Sequence, residues 1–274
     1  MKINYIVAFI VGWFLSLSTY AKVDTLLVFS ESMHKSIPNL VITPDNYTKM
    51  SSEMPVLYLL HGAGGKHTDW LSNVPLVEKY ANDYNMIVVC PDGGSTSWYF
   101  DSPIDEKMRY ETYVSYELVK EVDAKYNTIA NKNGRAIAGL SMGGHGALYL
   151  GIKHQDIWGA VGSMSGGVDI RPFPNNWDIK KRLGKYSKNK QNWEENTVVN
   201  LIPLIKKDLK IIIDCGTEDF FLEVNQQFHN KLLSANITHN YKEYSGSHNW
   251  TYWNKVIKYQ LKFFKNYFNY YKMN

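Results

Sequence analysis

The sequence predicts an α/β domain with a mostly parallel central sheet and helices on both faces, and three observations carry that prediction. Short β-type apolar runs alternate with helix-type runs from residue 23 nearly to the C-terminus, the order that builds a parallel sheet through right-handed crossovers. Two of the runs, 55–61 and 86–90, are almost continuously apolar, as suits strands covered on both faces. Gly139-Leu140-Ser141-Met142-Gly143 then joins a β-type run to a helix-type run, in the G-x-S-x-G form of a nucleophile elbow.

Taken in order, residues 23–30 and 40–43 read as strands, separated by polar residues and Pro38. The buried strand 55–61 ends at His61-Gly62-Ala63-Gly64-Gly65, and a helix over 74–84 leads to the strand 86–90, which stops at Pro91-Asp92-Gly93-Gly94. A longer helix over 111–126 carries Val114, Leu118 and Val122 on one face. The elbow follows: a strand from Arg135, then a helix over 141–154 with Met142, Leu148 and Ile152 at helical spacings and no proline. Strands at 160–164, 210–215 and 238–244, with helices over 221–235 and 250–267, complete the alternation. In such a sheet ligands bind outside the carboxyl ends of the strands. His61-Gly62-Ala63, Pro91-Asp92-Gly93, Ser141, Ser165-Gly166-Gly167, Gly216-Thr217-Glu218-Asp219 and Gly246-Ser247-His248 each follow a strand, so all of them are expected at one edge.

Residues 1–21 are set apart from the fold. Lys2 supplies a positive start, residues 3–17 are apolar apart from Asn4, Tyr5 and Ser16, and Thr19-Tyr20-Ala21 ends on a small residue. This is the layout of a secretory signal cleaved after Ala21, and the apolar run is shorter than the ~20 residues a membrane span needs. The reading is export to the periplasm or medium, without stable membrane insertion after cleavage. Residues 22–274 then form one catalytic domain, with no repeat or Pro/Gly/Ser-rich linker to divide it.

Losing Lys2 lowers the formal charge from +4 to +3, too little to suggest a nucleic-acid partner. Lys180, Lys181, Arg182, Lys185, Lys188 and Lys190 are followed by Glu194 and Glu195. A solvated face accounts for that cluster, with contact to an acidic polysaccharide as the alternative. Cys90 and Cys215, the only cysteines, each end an apolar strand-like run, so both are expected as buried free thiols. The oligomeric state is not legible.

Glycine and serine are common enough that the pentapeptide alone says little; its setting between strand and helix gives it weight. A serine hydroxyl is a poor nucleophile at neutral pH and needs a histidine base oriented by a carboxylate. On this fold, the α/β-hydrolase fold, the chain order is Ser, then Asp or Glu, then His. Among the strand-end carboxylates, Asp214 falls within the strand, whereas Glu218 and Asp219 lie in the loop beyond it; Asp219 is the preferred acid. His229 falls in a helix and His239 opens a strand, so His248, behind Gly246-Ser247, is the preferred base. The developing oxyanion needs backbone donors: the N–H of Met142 at the helix start and that of Ala63 in the loop after 55–61. This chemistry calls for no cofactor and no metal.

Leu59-Leu60-His61-Gly62-Ala63-Gly64-Gly65, Ser97-Trp98-Tyr99 with Asp101-Ser102-Pro103, the run from Gly139 to Ala147, Cys215-Gly216-Thr217-Glu218-Asp219-Phe220 and Gly246-Ser247-His248-Asn249-Trp250 together resemble the esterase D type esterases. That family includes S-formylglutathione hydrolases, tributyrin esterases, feruloyl and acetyl-xylan esterases, and mycolyltransferases. The resemblance covers nearly all of the chain beyond the leader. It implies an α/β-hydrolase fold with Ser141 as nucleophile, Asp219 as acid, His248 as base and oxyanion donors at Met142 and Ala63.

The expected function is therefore an exported serine carboxylic ester hydrolase working through an acyl-enzyme. Exported members of the family resemble esterases that strip acetyl or feruloyl groups from polysaccharide. Trp98, Tyr99, Trp70 and Trp177 are the expected substrate-stacking residues, with Phe173 and Trp250 as further stacking candidates at the same edge. The segment 168–209, with Pro172-Phe173-Pro174-Asn175-Asn176-Trp177 and helical stretches, reads as a small cap insertion beside the site. A glycan on the Asn249-Trp250-Thr251 sequon would obstruct His248, which favours a bacterial source. The alternatives are an acyltransferase moving the acyl group to a sugar or other alcohol, and an inactive carbohydrate-binding scaffold.

Overall fold

The computed structural model of the chain describes residues 21–48 and 52–273. The proposed leader lies outside them except for Ala21.

Among the described residues eight strands form one sheet in the order β1-β2-β4-β3-β5-β6-β7-β8. β1 (Lys22–Ser30) and β2 (Lys35–Thr43) pair antiparallel, and β2 joins β4 (Ile87–Pro91) antiparallel. From there β4, β3 (Val56–Leu60), β5 (Arg135–Leu140), β6 (Ala160–Met164), β7 (Lys210–Gly216) and β8 (Asn240–Tyr244) run parallel. β2 starts earlier than the expected 40–43 because its polar residues are satisfied there. The buried Asn39 amide donates to the carbonyls of Leu26 and Ile37 and its Oδ1 accepts the Tyr113 hydroxyl at 2.9 Å, and Pro38 is accommodated opposite Leu27.

Side-chain alternation along the strands splits the core in two. Val56, Tyr58 and Leu60 face one cluster, and Leu57 and Leu59 the other. The first face is covered by α3 (Tyr110–Thr112), a π turn (Tyr113–Glu117), α4 (Leu118–Lys125), α5 (Met142–Lys153) and α8 (Leu222–Ser234). The π turn interrupts the single helix expected over 111–126. The second face is covered by α1 (Asp69–Asn73), α2 (Leu76–Asp83) and the long α9 (Trp250–Met273). Cys90 and Cys215 are buried free thiols.

Residues 168–209, between β6 and β7, carry α6 (Ile179–Leu183), α7 (Lys190–Glu195) and two 3-10 turns, Val198–Asn200 and Ile202–Leu204. The segment is fastened internally by Arg171, which meets both carboxylate oxygens of Asp169 at 2.9 and 2.6 Å and Glu194 at 2.7 Å. Arg182 ties it to Asp105 at 2.7 Å. Among the described residues no helix is long and apolar enough to cross a membrane.

Candidate active site

Six parallel strands place the segments after β3 to β8 at one edge of the sheet. At its centre β5 hands over to α5 through Ser141, whose φ of 55° and ψ of −119° lie in a region costly for any residue with a side chain, by about 1–3 kcal/mol. The turn is held by Ser141 N–H donating to Met164 O at 3.0 Å and by His145 N–H donating to Ser141 O at 3.0 Å. Its flanks must be glycine. A Cβ on Gly139 would come within 2.4 Å of the Gly143 carbonyl oxygen, and one on Gly143 within 2.6 Å of the carbonyl oxygens of Leu60 and His61.

Two further loops reach the serine. In the turn after β7, Asp219 N–H donates to Gly216 O at 3.1 Å, which leaves the Asp219 side chain fully enclosed. One of its oxygens accepts the Phe221 N–H at 2.8 Å, and the other lies 2.8 Å from His248 Nδ1. His248, after β8, places Nε2 2.9 Å from Ser141 Oγ. A carboxylate only accepts, so Nδ1 carries a proton and, in the neutral ring, Nε2 is free to accept the serine O–H. The imidazole is packed by Phe220 at 4.2 Å, Phe221 at 5.4 Å and Trp253 at 5.0 Å between ring centres.

The alternative acids and bases weighed from the sequence are engaged in other contacts. Asp214 is buried beneath α9, bonded to the Tyr252 hydroxyl at 2.8 Å and the Gln260 amide at 2.7 Å. Burial pushes its pKa up to about 7, against the pull of those two donors. Glu218 accepts from Ser247 Oγ at 3.3 Å and Ser245 Oγ at 3.4 Å, tying the acid loop to the histidine loop. His229 and His239 pair with each other at 2.7 Å.

Ala63 and Ser141 both line the cleft, and Met142 is the first residue of α5. The Ala63 loop is braced by His61, whose Nδ1–H donates to Gly62 O at 2.8 Å while Nε2 accepts the Gly93 N–H at 2.8 Å. Burial lowers the pKa of this imidazole, outweighing its carbonyl bond and nearby carboxylates.

The cleft encloses about 390 Å³, with Ser141 and His248 in its lining and a wall of Trp177, Phe220, Trp250 and Trp253. Of the expected stacking residues Trp177 and Trp250 are in that wall. Trp98, Tyr99 and Trp70 are buried, at 1 %, 0 % and 1 % exposure, and line no part of it, which corrects the expectation. They support the cleft from beneath. The Trp98 indole N–H donates to Trp177 O at 3.3 Å, the Tyr99 hydroxyl to His61 O at 3.1 Å, and the Trp70 indole N–H to Leu60 O at 2.9 Å. Phe173 packs on Trp177 and Phe221 instead of facing the cleft. Phe220 and Trp253 were not foreseen. Phe220 directly follows the acid, and Trp253 lies nearly one helical turn beyond Trp250, so both were readable from proximity to residues already singled out.

An eight-stranded, mostly parallel sheet with a serine elbow at its centre defines an α/β-hydrolase, and the chain is a carboxylesterase of that class. The family described as "Putative esterase" matches residues 30–264, and the chain belongs to it. An acetyl esterase of Caldicellulosiruptor saccharolyticus is 29 % identical over 221 residues, covering 76 % of this chain and 82 % of that enzyme. The solved structure of a ferulic acid esterase, 29 % identical, superposes with a TM-score of 0.77 over 90 % of this chain and 98 % of the other. An S-formylglutathione hydrolase from Staphylococcus aureus, 20 % identical, shares the fold with a TM-score of 0.79 over 89 % of this chain and 99 % of its own.

Proposed function

We propose that the protein is an exported serine esterase that removes short-chain acyl groups such as acetyl, or feruloyl groups, from carbohydrate through a Ser141-His248-Asp219 triad. The reading rests first on the continuous hydrogen-bond chain from Ser141 Oγ through His248 to the enclosed Asp219, at 2.9 and 2.8 Å, opening on an aromatic-walled cleft.

His248 Nε2 takes the Ser141 proton as Oγ attacks the ester carbonyl carbon. The tetrahedral oxyanion is held by the N–H groups of Met142 and Ala63, the first reinforced by the start of α5. On collapse the C–O bond to the alcohol breaks, and the leaving oxygen takes the proton from Nε2. Water, deprotonated by the same nitrogen, then attacks the acyl carbon; the bond to Ser141 Oγ breaks as Oγ takes that proton back, which releases the acid and restores the serine. Asp219 fixes the tautomer and stabilises the imidazolium formed in each half-reaction.

The acyl preference is supported by the aromatic wall, by the acetyl esterase and ferulic acid esterase relatives, and by a cleft of about 390 Å³, within the range of ~300–1,000 Å³ typical of small-molecule sites. Export is supported by the composition of residues 1–21. Ser141→Ala should abolish p-nitrophenyl acetate hydrolysis and labelling by a fluorophosphonate probe. Retained turnover would overturn the assignment.

A further inference from the structure

The basic cluster of the 168–209 insertion plays no part in the ester chemistry, and its charges are unevenly matched. Lys181 is paired with Asp178 and Arg182 with Asp105, while Glu194 is taken by Arg171. Among the described residues neither Lys180 nor Lys185 has an ion-pair partner. Both line one groove of about 420 Å³ with Pro174, Asn175, Tyr186 and Ser187.

This groove adjoins the cleft through the backbone itself. Trp177 and Asp178 take successive left-handed conformations, with φ of 46° and 57°, and reverse the chain between the two cavities. Trp177 points into the wall of the Ser141 cleft, whereas Pro174 and Asn175 before the reversal and Lys180 after it line the groove. A polymer seated in one therefore has a short path to the other.

The lining has a consistent chemistry: two unpaired ammonium groups for carboxylates, an amide and a hydroxyl for sugar hydroxyls, and a half-buried tyrosine ring for a sugar face. We propose that this groove binds a uronic-acid-containing polysaccharide and so presents the esters of an acidic polymer to Ser141. The substrate role rests on the esterase reading above; the binding does not. A charge-driven contact of this kind weakens with salt.

The test is affinity electrophoresis of the full protein in gels containing polygalacturonate or neutral arabinoxylan, with p-nitrophenyl acetate turnover measured in parallel. Polygalacturonate should retard the wild type and Ser141→Ala alike, and arabinoxylan should retard them far less. Lys180→Glu/Lys185→Glu and Lys180→Gln/Lys185→Gln should raise the dissociation constant for polygalacturonate at least about tenfold with turnover unchanged. Absent retardation of the wild type, equal retardation by arabinoxylan, or undiminished retardation of both double variants would each overturn the groove. Loss of the esterase reading would show separately, as wild-type protein without turnover.

Discussion

His248 meets Asp219 at 2.8 Å where the carboxylate is wholly enclosed by protein, so the imidazole is oriented by a group that water cannot compete for. The second Asp219 oxygen is occupied by the Phe221 N–H, which fixes the plane of the carboxylate as well as its place. Asp219→Asn can present an N–H to Nδ1 and so favour the tautomer that leaves Nε2 protonated. The expected result is a fall in kcat of about 10⁴-fold with an unchanged melting temperature, read by steady-state kinetics and calorimetry.

The elbow tolerates no side chain at Gly143, because the nearest atoms to a Cβ are the carbonyl oxygens of Leu60 and His61 at 2.6 Å. Backbone cannot swing away as a side chain can. Gly143→Ala should cost about 1–3 kcal/mol in denaturant unfolding and lower kcat, since the shift is transmitted to Ser141 and to the Ala63 loop.

Trp98 and Trp177 touch each other, with ring centres 6.0 Å apart, yet should behave differently when truncated. Trp98→Ala opens a void in the core and should destabilise the fold by about 3–5 kcal/mol. Trp177→Ala removes a half-buried wall residue and should leave stability closer to wild type, while changing the ratio of kcat/KM for feruloyl and acetyl esters. Equal destabilisation by both would contradict the placement of Trp177 at the cleft.

Asp214 makes stability depend on pH in the direction opposite to most carboxylates. Its pKa is pushed by burial from 3.8 up to about 7, so between those values the folded chain holds a proton that the unfolded chain has released. Stability from this group is therefore fully present below about pH 4, is lost progressively as pH rises to 7, and changes no further beyond. Asp214→Asn should flatten that decline in urea midpoints measured from pH 4 to 8. Its amide can be accommodated if the Gln260 side chain turns over, since Gln260 Oε1 has no partner in its present orientation.

The leader is open to a direct check. Mass spectrometry of the protein recovered after expression with its own N-terminus should give a mature chain beginning at Lys22. An intact Met1 in the exported fraction would contradict cleavage after Ala21.

The alternation of apolar runs was enough to locate the central strands along the chain, because a strand covered on both faces must be apolar along its whole length, as 55–61 and 86–90 are. The elbow was equally legible, since a G-x-S-x-G between strand and helix is a local requirement of backbone sterics. Preference for Asp219 and His248 also followed from position, as both sit in loops after strands. Local pattern says nothing of what lies above or below a residue, however. Trp98, Tyr99 and Trp70 follow strand ends just as the cleft residues do, and only three-dimensional packing turned them inward while leaving Trp177, Phe220, Trp250 and Trp253 around Ser141. Sequence determined the chemistry through short-range constraints on the chain; tertiary structure decided which aromatic rings line the cleft, because burial is a property of contacts between segments far apart in sequence.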